Sequence, residues 1–393
     1  MMLTDAQRAI VKATVPLLET GGEALTTHFY KVMLAEYPLV RPLFNQAHQA
    51  SGDQPRALAH SVLMYAKHID RLEGLGNLPA QIINKHVSLQ VLPEHYPIVG
   101  ACLLRAIREV LGEQIATDEV IDAWAAAYQQ LADILIGAEE SVYAATAQAS
   151  GGWRGLRTFR VARKVRESAE ITSFYLQPAD GGSVIAHAPG QYIGLHLQIV
   201  GGEQRRNYSL SAPANGRELR ISVKRENGGI VSTYLHDQVS EGDTLQVTPP
   251  AGAFTLQPSD KPVVLICGGV GITPTLPMLH AALASQRPVH FIHCARNREV
   301  HAFREHVDAL AANHPQLQRF YCYDEAVIGD GAHGVGRLDQ ERLSRWLPET
   351  RDIDAYFLGP KPFMAVVKRD LLALGVPEAQ VRYEFFGPAA ALN

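Results

Sequence analysis

Four short stretches of this chain carry side chains able to do chemistry. The first is INKHVSLQ, centred on His86. Apolar residues recur there at helical spacing (Ile82, Ile83, Val87, Leu89, Leu92), which predicts a helix from Pro79 to Leu92 that stops at Pro93. His86 shares a face with Ile82, Ile83 and Leu89. A neutral imidazole in apolar surroundings either satisfies its nitrogens locally or binds a metal. The second stretch is PGQYIG followed by RRNYSL, an R-x-Y-S pattern at Arg206, Tyr208 and Ser209. A flavin nucleotide needs an aromatic face for its ring, a hydrogen bond near its reactive nitrogen and a cation for its pyrophosphate. These three residues supply that set from one strand, whose alternation sends Arg206 and Tyr208 to one face and Ser209 to the edge. The third is GGIVS, which sets Ser232 and backbone N–H groups at a helix N-terminus suited to phosphate. The fourth is GGVGITP, between the apolar strand PVVLIC and the helix TLPMLHAALA. Such a strand–loop–helix junction cradles a pyrophosphate. Its Gly269 and Gly271 allow close backbone approach, and Pro274 fits a first helical turn. The loop reads G-x-G-x-x-P and so fails as a classical dinucleotide fingerprint.

Composition narrows the class of protein. The chain has 393 residues, enough for two or three domains, with 47% hydrophobic and 19% charged residues. The formal net charge of -4 offers no basic stripe for nucleic acid and no polybasic patch for a membrane surface. No apolar run reaches transmembrane length, and MMLTDAQRAI lacks the form of a signal peptide. Cys102, Cys267, Cys294 and Cys322 are scattered without C-x-x-C spacing, which excludes the common zinc and iron–sulfur motifs and fits a reducing cytoplasm.

The elements that position the four stretches fall into three blocks. Residues 1–148 read as all helix. Thr4 opens a T-x-x-Q capping box, and an apolar run through Ile10, Val11, Val15, Leu17 and Leu18 breaks at Gly21-Gly22. A helix through Leu25, Phe29, Val32 and Met33 ends near Tyr37-Pro38, another runs from about Asp53 to Leu72, and two more follow the His86 helix. Many helices on short loops imply helix packing around one core. At Gly151-Gly152 the pattern changes. Residues 152–258 hold short alternating strands with turns such as ANG and SEGD, the signature of a β-barrel, with one embedded helix. Residues 260–393 alternate strand and helix, which predicts an α/β domain with a parallel sheet and helices on both faces.

Within that frame the helical block resembles the globin domain of bacterial flavohaemoglobins. The resemblance rests on HFYKVM, Phe44, GDQ, NKHVSLQ, EHYPIVG and GAEESVY, in that order. It implies that His86 is the proximal iron ligand of a haem b and that Phe44 packs on the haem. Gln54 stands where oxygen-storage globins carry a histidine. Tyr30 offers a hydroxyl to a distal ligand with partial negative charge. Leu58 limits access, Tyr96 and Glu139 form the proximal pair, and Lys85 sits near the haem edge. Each has a plain rival: a core phenylalanine, a solvent-reaching tyrosine, a helix-start glutamine, an exposed helix charge with Glu140 in the next register.

The resemblance extends to the rest of the chain. The barrel is similar to the FAD domain of the ferredoxin–NADP reductase superfamily, with Tyr192, Arg206, Asn207, Tyr208, Ser209 and Ser232 as FAD contacts. The loop Gly269, Val270, Gly271, Ile272, Thr273 and Pro274 resembles the same superfamily's NAD(P)H loop. LGPKPFM resembles its nicotinamide-side motif, with Leu358 in place of the usual Cys. YEFFGP resembles the segment returning to the flavin: Phe386 covers the ring, Phe385, Gly387 and Pro388 accompany it, and Glu384 lies near the haem–flavin boundary. Arg296 and Arg298 follow the second strand, where cations favour a 2′-phosphate. Together these imply a nitric oxide dioxygenase. NAD(P)H reduces FAD, FAD reduces the haem iron, and the ferrous haem with O2 oxidises NO to nitrate, in a cytoplasmic monomer whose distal pocket has a lipid as a further occupant. The alternatives are an NAD(P)H-dependent flavin or ferric reductase, and a haem protein that binds O2 or NO for sensing.

Overall fold

The computed structural model describes residues 3–44, 52–199 and 202–386. Its contacts divide the chain into two units, one from the N-terminus to Gln148 and one from Ala149 onward.

Within the first unit, among the described residues, the α-helices are α1 (Asp5–Ala13), α2 (Val15–Glu36), α3 (Asp53–Lys67), α4 (Leu78–Leu89), α5 (His95–Leu111) and α6 (Asp118–Gln148). The capping box at Thr4 forms with Gln7. The break expected at Gly21-Gly22 does not: α2 runs through both glycines, and the chain interrupts at Thr14 instead, where Pro16 occupies the first turn of α2. Helical glycine costs about 1 kcal/mol against alanine, and packing offsets it here. Gly22 is buried against Ala59 of α3, and the Thr26 hydroxyl donates to the Pro55 carbonyl at 2.8 Å. The His86 helix also ends earlier than Pro93 predicts. It stops at Leu89 because Gln90 takes a left-handed conformation, φ 56°, and its N–H caps the helix. The helix before it, expected to reach about Leu72, likewise stops early, at Lys67, and a short 3-10 turn follows at Leu72–Leu75. A core of Leu25, Phe29, Tyr30, Met33, Ile107 and Trp124 ties these helices together.

The second unit holds two sheets. The first consists of β1 (Arg157–Arg166), β2 (Ile171–Pro178), β3 (Tyr192–Ile199), β4 (Gly202–Ser209), β5 (Leu219–Lys224) and β6 (Thr244–Val247), in the order β4-β3-β6-β1-β2-β5, all antiparallel. A bridge from Leu210 to Ile221 carries β4 onto β5 and closes the sheet into a barrel. Phe159, Phe174, Ile193, Leu195 and Ile221 fill it, and α7 (Ile230–Asp237) packs through Val231 and Leu235.

The second sheet is parallel: β7 (Val263–Gly268), β8 (Val289–Ala295), β9 (Leu317–Tyr323), β10 (Gly334–Val335), β11 (Asp354–Leu358) and β12 (Val381–Tyr383), ordered β10-β9-β8-β7-β11-β12. The helices are α8 (Ile272–Ala284), α9 (Arg304–Asn313), α10 (Gln340–Trp346) and α11 (Lys361–Ala373). Two apolar clusters cover its two faces. The apolar-periodic stretch EVHAFREHVDALAA does not form helix throughout: α9 starts only at Arg304, because Phe303 adopts φ 62° after a 3-10 turn at Arg298–Val300. At the amino end of β11, buried Asp354 pairs with Arg287 at 2.6 Å and Arg382 at 2.8 Å. Ligands of such sheets gather at the opposite, carboxyl end, so this charged cluster is structural.

Candidate functional site

Three helices converge on His86. α4 supplies the imidazole, α5 supplies Tyr96 from its first turn, and α6 supplies Glu139 from its last third. The His86 Nδ1 lies 2.7 Å from Glu139 Oε1 and 3.1 Å from the Tyr96 hydroxyl, which itself donates to Glu139 Oε1 at 2.7 Å. Glu139 is 2% exposed, and Glu140 points to solvent, which resolves the register. A buried carboxylate is tolerable only with such partners. Burial, reinforced by Glu139, pushes the Tyr96 hydroxyl well above the usual phenol range, so it remains a donor. Because a carboxylate only accepts, the proton of His86 sits on Nδ1 and Nε2 keeps its lone pair. Nε2 makes no hydrogen bond among the described residues. A second-shell carboxylate fixing the tautomer is how metal-binding histidines are set. Lys85 sits half-buried next to His86.

One member of this assembly was missed from the sequence. The Tyr128 hydroxyl donates to the Tyr96 carbonyl at 2.6 Å, and its ring lies over Gly100. The spacing 128, 132, 135, 139 places it on the Glu139 face of α6, and that was the available signal.

Tyr30, Phe44, Gln54 and Leu58 come together as a second group. Tyr30 is 7% exposed, its ring meets Phe44 edge-on at 5.4 Å, and Gln54 hydrogen-bonds its hydroxyl. Burial holds that hydroxyl protonated well above the usual phenol range. Phe44 and Leu58 line the same core as Tyr30.

In the barrel, Arg206 and Tyr208 of β4 are half-buried, while Ser209 is buried opposite Tyr192. The Arg206 guanidinium donates to the Arg205 carbonyl at 2.7 Å and to Gln204 at 3.2 Å, and it has no carboxylate partner among the described residues. Burial pulls its pKa down. Asn207 lies beside it on β4. The Ser232 hydroxyl is engaged locally, accepting from the Glu226 N–H at 3.1 Å and donating to the Gly229 carbonyl at 3.3 Å. It therefore braces the GGIVS turn at the start of α7.

The loop after β7 divides its roles. Gly269 takes φ +55° with open space beyond it. Gly271 serves packing instead: a Cβ there would lie 2.1 Å from the Leu358 carbonyl oxygen. Ile272, Thr273 and Pro274 are buried, and the Thr273 hydroxyl donates to the Val270 carbonyl at 3.0 Å. What this loop presents is backbone N–H. Leu358 is wholly buried in the core, so its side chain adds no polar group at the strand end. Arg296 pairs with Glu170, and Arg298 is exposed. Tyr383 stacks on Phe357 at 5.3 Å, Phe385 meets Tyr383 edge-on at 5.8 Å, and Phe386 is 50% exposed. Glu384 is half-buried between them, and Gly387 and Pro388 lie outside the described residues.

Family models match in the same order along the chain: globin over 27–135, oxidoreductase FAD-binding domain over 158–256 and oxidoreductase NAD-binding domain over 265–369. The chain is 70% identical to the flavohemoprotein of Pseudomonas aeruginosa over 100% of both sequences. It belongs to the flavohemoprotein family. The flavohemoprotein of Deinococcus radiodurans is 51% identical over 99% of this chain and 98% of its own. Among solved structures, the flavohemoglobin of Malassezia yamatoensis, determined with bound FAD and heme, superposes with a TM-score of 0.86 at 27% identity, covering 98% of this chain and 100% of that one. The FAD/NAD-binding domain of a nitric oxide dioxygenase from Vibrio cholerae is 40% identical over 60% of this chain and all of its own, with a TM-score of 0.56.

The residues of this flavohemoprotein fit the groups its domains take. A histidine with a bare Nε2 suits a haem iron. A half-buried guanidinium without a carboxylate partner among the described residues suits a pyrophosphate. An open glycine at the start of a helix suits a dinucleotide phosphate. Among the described residues, no helix is long and apolar enough to cross a membrane.

Proposed function

We propose that this flavohemoprotein is an NAD(P)H- and O2-dependent nitric oxide dioxygenase that converts NO to nitrate in the cytoplasm, acting as a monomer on small molecules. One observation carries the reading. The buried, protonated Tyr30 hydroxyl, bonded to Gln54 within an apolar wall, stands in the same helical unit as the His86–Glu139–Tyr96 set. When bound, haem supplies an iron centre for the reaction of O2 with NO, and FAD supplies conversion of the NAD(P)H hydride into single electrons.

The chain's own residues do the rest. His86 would hold the iron, with Nε2 as the donor atom left open by the Nδ1 hydrogen bond. Glu139 and Tyr96 orient the ring and keep its proton on Nδ1, which favours the oxidised metal and disfavours simple oxygen storage. Tyr30 offers a proton-bearing donor where negative charge develops, and its apolar surroundings strengthen that interaction. Phe44 would pack on the haem, Leu58 would restrict access to it, and Lys85 would lie close to it. Arg206 would neutralise the FAD pyrophosphate, Tyr208 and Tyr192 would supply aromatic contacts to FAD, Asn207 and Ser209 would hydrogen-bond it, and Phe386 would shield it. Glu384 stands on the segment leading to Phe386. The loop 269–274 receives the NAD(P)H phosphates through its N–H groups. A lipid in the distal pocket is a further expected occupant.

Stopped-flow mixing with NO, O2 and NAD(P)H tests this: each NO lost should appear as nitrate, with NAD(P)H consumed only while NO remains. NAD(P)H oxidation indifferent to NO, with ferric or free-flavin reduction instead, would establish the plain reductase. A haem that NAD(P)H cannot reduce would leave only a binder.

A further inference from the structure

Away from the three cofactor sites, two imidazoles face one another across the surface of the nucleotide-binding domain. His280 projects from α8 and His306 from α9, and their Nε2 atoms are 2.9 Å apart. The rings lie 5.0 Å apart at 39°. Neither nitrogen has a carboxylate partner among the described residues. His280 also lines a cavity of about 310 Å³ together with His187, Pro189, Pro277 and Ala281, so open space adjoins the pair. In that cavity's wall the His187 Nδ1 is buried with no hydrogen-bond partner.

We propose that His280 and His306 form a site for a late first-row divalent cation, Zn²⁺, Ni²⁺ or Cu²⁺, bound by the two Nε2 atoms with water completing its shell. Imidazole suits these metals above Mg²⁺ or Ca²⁺. At the usual zinc–nitrogen distance, two nitrogens in tetrahedral positions lie about 3.4 Å apart. The pair therefore needs to open by about half an ångström, and exposed His306 is free to make that adjustment. The Nε2···Nε2 contact is a hydrogen bond, so one ring carries its proton there; metal binding shifts that proton to the ring's Nδ1 and leaves both Nε2 lone pairs to the cation. Arg220, whose guanidinium lies over the Phe303 ring at 5.0 Å, is the opposing charge and weakens cation binding. The Nδ1 of His314 is bonded to the Leu310 carbonyl at 2.9 Å, and this ring is not one of the two ligands. A cation here would pin α8, which begins at the phosphate loop, to α9.

The test uses tag-free, cofactor-replete protein titrated with Zn²⁺ and Ni²⁺ by calorimetry, after chelator treatment that leaves haem and flavin spectra intact. One cation should bind per chain, and His306→Gln, an exposed change, should weaken it at least tenfold. His280→Gln should do the same, and His314→Gln should leave binding within twofold. Co²⁺ loading should add a visible band that both ligand variants lose. Binding that survives in the His280→Gln/His306→Gln double variant, or no binding by the wild type, overturns the proposal. Flavin absorbance and NAD(P)H–ferricyanide turnover of the metal-free variants verify that they are folded.

Discussion

Replacing Glu139 with Gln isolates the charge at the proximal site. The amide keeps the carboxylate's shape, so its oxygen still accepts from His86 Nδ1 at the 2.7 Å contact and no cavity opens. Only the negative charge goes. A hydrogen bond to a charged group contributes about 1.5–3 kcal/mol against about 0.5–1.5 for a neutral one, a loss of roughly 1–1.5 kcal/mol. Glu139 is 2% exposed, so solvent does little to screen it. The carboxylate favours the more positive ferric state, and its loss raises the haem midpoint potential. For one electron, 59 mV accompanies each tenfold change, which puts the rise at about 45–65 mV. A spectroelectrochemical titration of the haem bands, with circular dichroism verifying the helices, measures it directly. A midpoint within ~10 mV of the wild type, or one that falls, would refute the assignment of Glu139 as the group tuning His86.

Four further outcomes are expected. Tyr30→Phe removes the buried donor and should speed O2 dissociation about tenfold, a loss of one hydrogen bond; flash photolysis reads it, and an unchanged rate removes the donor role. Arg206→Leu should weaken FAD retention by roughly tenfold to a hundredfold, seen as flavin fluorescence released on dilution. Glu170→Ala frees Arg296, so the ratio of kcat/KM for NADPH over NADH should rise roughly two- to fivefold, the worth of an exposed ion pair. Acid should destabilise the nucleotide-binding domain through His293 and His301, which stack with centroids 4.0 Å apart in the core. Burial lowers His293 from 6.5 to about 3 and lowers His301 as well. The unfolded chain binds those protons first, so stability is full above about pH 6.5 and falls below it, by about 1.3 kcal/mol per histidine between pH 7 and pH 5.5. Denaturant midpoints across that window should show the decline, and His293→Leu should flatten its share.

Periodicity and caps made the three-block architecture legible, because Thr4, the alternating strands and the strand–loop–helix units are local signals. The errors arose where tertiary contacts override local preference. Gly21 and Gly22 look like a break, yet α2 passes through them because Ala59 packs at Gly22. Phe303 starts α9 late because packing holds it at φ 62°, a conformation no phenylalanine advertises. At the site, the residue types were readable one by one, but not their division of labour. Ser232 and Thr273 look like phosphate contacts in sequence, and in the fold their hydroxyls also donate to the Gly229 and Val270 carbonyls, a bracing role that the sequence does not display. For Arg206, conversely, the telling feature appears only in the fold, which leaves it half-buried without a carboxylate partner among the described residues. Tyr128 contributes through a backbone carbonyl, which no side-chain pattern records.

Gly271 has a consequence for how sequences of this kind are sorted. Its missing side chain is the space the Leu358 carbonyl occupies, 2.1 Å from where a Cβ would sit. Backbone cannot yield as a flexible side chain can, so even alanine there would prise the phosphate loop away from the neighbouring strand. A relative carrying any residue other than glycine at 271 is therefore expected to lose the seat of this loop against the strand, whatever its helical half retains.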